Sequence, residues 1–75
     1  MVPVIAQMVA SVLTVRTRPG DVVAAGEVLF VVESMKMEIP VAAPAAGTVR
    51  DVSVQAGDVV QEGDTLALID PYDRR

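Results

Sequence analysis

The apolar residues of this chain fall in short stretches that glycine, proline and charged residues interrupt. Short apolar stretches bounded by turn residues are typical of β-strands. They predict strands at about 3–7, 11–17, 21–23, 28–33, 39–43, 48–54, 58–60 and 65–70. Strands that follow one another at this spacing predict an all-β fold, either a sandwich or a flattened barrel.

The second half of the chain repeats the first at an offset of 37 residues. Gly20-Asp21-Val22-Val23 recurs as Gly57-Asp58-Val59-Val60, and Pro3-Val4 recurs as Pro40-Val41. Glycines that recur with their neighbours mark turns with unusual backbone φ, so the turns repeat together with the strands. Two copies predict a pseudo-twofold arrangement of two four-stranded antiparallel sheets.

One segment also fits a helix. Between residues 5 and 13 the apolar side chains are spaced as on one face of a helix. The equivalent part of the second repeat contains Gly47, Thr48 and the valines Val49, Val52 and Val54, which favour a strand. Because the two halves repeat, we predict a strand at 11–17.

The hairpin predicted between the two repeats has an unusual tip. The tip, Ser34-Met35-Lys36-Met37, contains no Gly, Asn or Asp, the residues that tight hairpin turns favour. Methionines usually fill gaps in a core, and a single lysine on a turn is usually only solvated. The tip nevertheless lies at the boundary of the two repeats, where the equivalent connection after Asp70 is the end of the chain. A local rule broken at such a position indicates a functional constraint centred on Lys36.

The composition excludes several classes of function. The 75 residues include no cysteine and no histidine, which excludes disulfides, thiolate metal sites and the commonest general base. The net charge of −4 argues against binding to nucleic acid or to an anionic membrane, and no apolar run is long enough to span a membrane. We expect a single cytoplasmic domain over residues 1–70, a monomer in isolation, with a flexible tail at 71–75. An independent enzyme is not expected, since no two carboxylates stand out as a pair.

The tip resembles a known attachment signature. The segment runs Glu33-Ser34-Met35-Lys36-Met37-Glu38. It is similar to the biotin-attachment site of biotin carboxyl carrier domains, in which a lysine flanked by two methionines lies on a β-hairpin. The glycine turns at Gly20-Asp21 and Gly57-Asp58 extend the resemblance over nearly the whole chain. The chain is similar to small free-standing biotin/lipoyl attachment proteins, and the resemblance implies their barrel-sandwich fold.

The resemblance also implies roles for the tip residues. Lys36 would carry covalent biotin, and Met35 and Met37 would flank it for recognition. Lipoyl domains share the fold, but their lysine usually follows Asp and precedes Ala. A lipoyl carrier, or one that accepts either group, is therefore the alternative, and an unmodified structural β-domain is a third reading. The remaining motif residues, which provide its context, are Glu33, Ser34 and Glu38.

Three partner enzymes follow from the same resemblance. A biotin protein ligase would attach biotin, a biotin carboxylase would load the ring with CO₂ from bicarbonate using ATP, and a carboxyltransferase would pass the carboxyl group to an acceptor. An exposed lysine amine is almost entirely protonated at pH 7, and the chain has no histidine to accept the proton. The ligase would therefore deprotonate Lys36, which makes this chain a substrate and carrier and not a catalyst. If period-two alternation persists through the tip, Met35 and Met37 lie on one side and Lys36 on the other.

The chain departs from the family pattern in three places. The turn before the second strand, usually small residues with Gly and Pro, is here Met8-Val9-Ala10-Ser11. Ser34 stands where Ala is commoner, which is a nearly isosteric change. No extra loop is present that could form the protruding thumb of some bacterial carriers. None of these departures affects Lys36 itself.

Overall fold

The computed structural model describes residues 1–72, which form eight β-strands and no helix. The strands are β1 (Val2–Ile5), β2 (Ala10–Val15), β3 (Val22–Val23), β4 (Val28–Ser34), β5 (Met37–Ala42), β6 (Gly47–Val52), β7 (Val59–Val60) and β8 (Thr65–Pro71). The all-β prediction is confirmed, and so is the strand predicted at 11–17, which corresponds to β2. Nothing in this part of the chain could cross a lipid bilayer as a helix.

The strands form two four-stranded antiparallel sheets, as predicted. One sheet has the order β1-β8-β6-β3 and the other the order β5-β4-β2-β7. Residues of both sheets contribute to one core of aliphatic side chains and a single phenylalanine. Each large side chain that is fully buried stabilises the fold by about 1.5–3 kcal/mol. The largest are Phe30, Leu29, Leu66, Ile69, Val12 and Val49.

The internal sequence repeat is also a structural repeat. β2, β3 and β4 recur 37 residues later as β6, β7 and β8, and the two sheet orders exchange under the same offset. Gly20 and Gly57 both have a φ of 98°. Their amides donate at 2.8 Å to equivalent carbonyls, Gly20 to Val49 and Gly57 to Val12. Each sheet combines strands from both halves, so the predicted pseudo-twofold arrangement is confirmed.

The strand pairing places the hairpin tip at one pole of the molecule, and the start of β1 and the end of β8 at the opposite pole. Ser11, at the start of β2, pairs with Glu33 beside the tip, so β1 ends and β2 begins at this tip pole. β1 therefore begins at the far pole, where Val2 pairs with Ile69 of β8. The longest dimension is 43 Å, against 19 Å and 17 Å for the others. Four strands at about 4.8 Å spacing span only roughly 15–20 Å, so the long axis runs along the strands from pole to pole.

The domain boundary predicted after residue 70 lies within β8. Pro71 is the last residue of that strand and pairs with Gly47. The Tyr72 amide donates to the Ala46 carbonyl at 3.3 Å. These backbone contacts make the first two residues of the predicted tail a continuation of the sheet, which corrects that part of the prediction. The rest of the predicted tail, residues 73–75, lies outside the described residues.

Candidate functional site

The tip of the β4–β5 hairpin is a connection of only two residues. Ser34 and Met37 form the last cross-strand pair, and Met35 and Lys36 join them. Both joining residues have positive φ, 54° for Met35 and 65° for Lys36. This left-handed conformation is the one that two-residue hairpin turns require at both central positions, where Asn-Gly is the usual sequence. The turn therefore has the backbone conformation of an ordinary two-residue hairpin, but Met35 and Lys36 are residue types that disfavour positive φ.

The flanking strands hold this unfavourable turn in place. A non-glycine residue in the left-handed region costs on the order of 1–3 kcal/mol. β4 pairs with β5 on one side and with β2 on the other, so the hairpin is anchored in the sheet through β4, while β5 is the edge strand. Below the turn, Val32 pairs with Ile39, and Val32 and Phe30 are buried in the core. The ladder and the core thus determine the conformation of a turn that its own residues would not adopt alone.

The side chains at the tip are directed to solvent. Met35 is 88% exposed and Met37 is 59% exposed, so neither belongs to the buried core. Lys36 is exposed as well, and within residues 1–72 no hydrogen bond or ion pair engages its amine. Strand alternation does not continue through the tip, because Met35 and Lys36 occupy the turn and not a strand. The arrangement presents one primary amine between two exposed thioethers.

Two carboxylate residues form the cross-strand pair next to the last pair of the hairpin. Glu33 of β4 and Glu38 of β5 are cross-strand partners, one pair below Ser34 and Met37, and both are exposed. Like charges placed opposite each other in a sheet are destabilising. The motif predicted both residues but not their pairing, which depends on the register that a two-residue turn sets. Ser34, also part of the motif, is half-buried at the last step of the ladder.

The described part of the chain offers no competing chemical site. It contains no group of three or more His, Cys, Asp or Glu residues that could hold a metal ion. Cysteine and histidine are absent from the sequence, and Lys36 is its one lysine. Once deprotonated, the Lys36 amine can attack an activated acyl group. The hairpin tip therefore presents the one lysine amine of the sequence.

The Met35→Asn variant is expected to be more stable than the parent by about 1 kcal/mol, because asparagine tolerates the left-handed region better than methionine. The exposed Met35 side chain has little burial to lose. For a domain of this size such a gain raises the melting temperature by roughly 4–8 °C. Met37→Asn is the matched control, since it puts asparagine in β5, where it is disfavoured. Thermal melts that move equally for both variants would contradict a strained turn at Met35.

Comparisons with known proteins agree on one family. The sequence profile of a family described as "Biotin-requiring enzyme", for domains that attach biotin or lipoyl groups, matches residues 1–69. No curated protein sequence gives a significant match. The profile thus covers all but the last residues of the chain.

Solved structures show the same fold inside much larger proteins. A single-chain, multi-domain long-chain acyl-CoA carboxylase matches with a TM-score of 0.89 and 36% identity, over 96% of this chain and 7% of that chain. The urea carboxylase of Kluyveromyces lactis matches with a TM-score of 0.85 and 29% identity, over 92% of this chain and 6% of that one. This chain therefore spans less than a tenth of either carboxylase.

A third structure is an isolated domain of similar size. The lipoyl domain of the 2-oxoglutarate dehydrogenase complex of Azotobacter vinelandii matches with a TM-score of 0.71 and 27% identity. The match covers 83% of this chain and 78% of that domain. The fold is thus common to carboxylase chains and to a lipoyl domain, with the higher identities and TM-scores for the two carboxylases.

Proposed function

The chain belongs to the family of biotin- and lipoyl-attachment domains, and we propose that it is a biotin carboxyl carrier in which Lys36 bears the covalently attached biotin. The observation that carries this proposal is the tip itself. A solvent-exposed Lys36 stands between the exposed Met35 and Met37, on a turn that the sheet holds in an unfavourable conformation. Strain that persists at one exposed point of a fold favours a functional role for that point.

The chemistry of the tip fits attachment of an acyl group. The Lys36 amine loses a proton in the active site of a ligase and attacks the carbonyl carbon of a biotinyl adenylate. An amide bond forms, and AMP leaves with the electrons of the acyl–phosphate bond. The positive charge of Lys36 disappears, while the two negative charges of the Glu33–Glu38 cross-strand pair remain in the same hairpin. When bound, biotin supplies a ring that accepts a carboxyl group at one enzyme and releases it at another.

Two features favour biotin over lipoate as the attached group. Methionine on both sides of the lysine is the arrangement that resembles biotin attachment sites. The identities to the two carboxylases, 36% and 29%, exceed the 27% identity to the lipoyl domain. We therefore propose a biotin protein ligase, a biotin carboxylase and a carboxyltransferase as partners, with the chain acting as a carrier and not as a catalyst. Tethering the ring raises its effective concentration at each active site.

The experiment that tests the proposal is co-expression with each of two ligases. The full chain is produced with a biotin protein ligase in one culture and with a lipoate ligase in another, and intact masses are compared. We expect one biotinyl group per chain in the first culture, mapped to Lys36 by peptide sequencing, and unmodified chain in the second. A lipoyl group gained in the second culture without biotin in the first would identify a lipoyl carrier. Unmodified chain from both cultures would contradict both carrier functions and support the third alternative, an unmodified structural domain.

Alanine variants at Met35 and Met37 are expected to leave stability nearly unchanged and to slow carboxyl transfer. A buried methionine replaced by alanine costs about 2–5 kcal/mol, but exposed sites change by less than about 0.5 kcal/mol. Both side chains are exposed, and under this proposal they contact the partner proteins. Thermal melts, ligase loading and transfer rates are measured on each biotin-loaded variant. Normal transfer rates by both variants would contradict recognition through the methionines.

A further inference from the structure

An apolar groove of about 360 Å³ lies between the two sheets on the side that contains the tip strand. Its walls are β1 and β5, the edge strands of the two sheets. Within the described residues β1 pairs with β8 and β5 pairs with β4, so the outer edges of β1 and β5, which both line the groove, have no strand partner. The groove therefore combines apolar side chains with free backbone groups of two edge strands.

The groove breaks the pseudo-twofold symmetry of the fold toward the tip pole. Equivalent pairs such as Pro3 and Pro40, or Val4 and Val41, line it symmetrically. Other lining residues have equivalents that do not line it, and these are Ala6, Met8, Ala10, Val32, Ile39, Val60 and Leu66. β1 and the loop that follows it reach the tip pole, and Val32 lies one step below the Glu33–Glu38 pair. The groove is therefore displaced from the centre of the two halves toward the pole at which Lys36 lies.

We propose that this groove receives the ring of biotin when the arm on Lys36 folds back along β5. The inference rests on the proposed function, because it needs biotin on Lys36. It goes further by assigning a resting site on the carrier itself. The residues involved are Met8 at the tip end of the groove, Ile39 of β5 and Gln7 of the loop after β1. The occupant is covalently linked to the same hairpin, so the groove needs only weak affinity to be occupied.

The distances allow this return. Ile39 lies three positions after Lys36, which along a strand is about 10 Å. An extended lysine side chain joined to the valeryl chain of biotin has bonds of roughly 1.5 Å each. Because the chain is a zigzag, its end-to-end length is about 14 Å. The ring can therefore reach the level of Ile39 and Pro40, where the groove is open to β5.

The chemistry of the groove matches the ring. The thioether half of biotin and its methylenes are apolar, and the groove is lined mainly by Pro, Val, Ile and Met. Met8 is 39% exposed at the groove and is unbranched, so its thioether can adapt to a bound ring. The ureido half of biotin needs hydrogen-bond partners, and the Gln7 amide both donates and accepts. A volume of 360 Å³ falls in the usual range of small-molecule sites.

Nuclear Overhauser effects in the loaded protein test the proposal directly. The full chain is biotinylated with a biotin protein ligase, loading is verified by mass, and methyl groups of Met, Ile and Val are labelled. We expect contacts between the biotin ring protons and the methyl groups of Met8 and Ile39. Val2, the pseudo-symmetric equivalent of Ile39 at the far pole, is expected to show none. The unloaded protein provides the reference chemical shifts.

A matched pair of variants separates the groove from its surroundings. Met8→Glu introduces a charge at the groove and is expected to abolish the ring contacts to Ile39. Val9→Glu introduces the same charge at the next residue, which is exposed and does not line the groove, and the contacts should persist. Loaded wild type without ring contacts in the groove overturns this inference alone, as does Met8→Glu with contacts intact. A chain that takes up no biotin overturns the proposed function first and the inference with it.

Discussion

The Lys36→Arg variant is expected to fold like the parent and to take up no biotin. Arginine keeps the positive charge, but its guanidinium stays protonated and cannot attack an acyl group. Lys36 is exposed and its backbone lies in a turn, so one long cation replaces another with a stability change below about 0.5 kcal/mol. Intact mass after incubation with excess ligase, biotin and ATP measures loading, and a thermal melt measures stability. Complete loss of modification with an unchanged melt is the expected outcome.

A second substitution in the same background tests whether the hairpin context is required. Arg16→Lys adds an exposed lysine at a position away from the tip, just after β2. The Lys36→Arg, Arg16→Lys double variant is expected to remain unmodified, because the new amine lacks the turn and the flanking methionines. Biotin on the new lysine would show that any exposed amine suffices. A loss of more than about 2 kcal/mol in Lys36→Arg would make Lys36 a structural residue and contradict the carrier proposal.

The Gly47→Ala variant is expected to lose about 2–3 kcal/mol of stability. Gly47 begins β6 opposite Pro71, and a Cβ at this position would collide with the backbone oxygen of Asp70. It would also lie 2.8 Å from the Pro71 Cα. These are backbone atoms of β8, which pairs with β1 on its other side, so they cannot move away freely. Overpacking of this kind costs roughly 1–3 kcal/mol and occasionally more.

For a domain of this size the loss is a large share of the total stability. A chain of 75 residues is near the lower limit for independent folding, with roughly 5 kcal/mol to lose. We expect the melting temperature to fall by about 10–20 °C. Ala10→Gly is the matched control at the equivalent position of the first repeat, and it should cost about 1 kcal/mol or less. Ala10 retains its Cβ because the β2–β4 ladder begins at Ser11, one residue later than the equivalent ladder. Equal melts for parent and Gly47→Ala would contradict the steric argument.

The strands were predictable because the repeat presents each pattern twice. Where one copy was ambiguous, at residues 5–13, the other copy decided in favour of a strand. The structure gives the physical reason, since the buried residues of this stretch are Ala6, Ala10 and Val12, and the two-residue step from Ala10 to Val12 fits β2. Helical spacing arose from counting Ile5, Met8, Val9 and Leu13, which are all exposed. Alanine is only weakly hydrophobic and adds little to a pattern of apolar residues, although the buried alanines here show which face of the strand packs against the core.

The conformation of the tip was not predictable from local preferences. The resemblance identified Lys36 and its neighbours, but no local rule places Met35 and Lys36 in the left-handed region. That conformation follows from the pairing of Ser34 with Met37, which the buried ladder below imposes. The same register brings Glu33 opposite Glu38. The groove is a property of how two edge strands approach each other, and no pattern along a single strand reports it.

Lys36 lies at one pole of the domain, and the start of β1 and the end of β8 lie at the other. Rotation of the whole domain about the second pole therefore moves Lys36 over a large distance. Any segment joined to the first residue of β1 or to the last residue of β8 is attached at the far pole. A hinge there would swing Lys36 at a radius close to the 43 Å length of the molecule. The side-chain arm of about 14 Å would then only have to enter each active site. Two active sites much farther apart than the arm can reach are within range of a rigid body that pivots at its base.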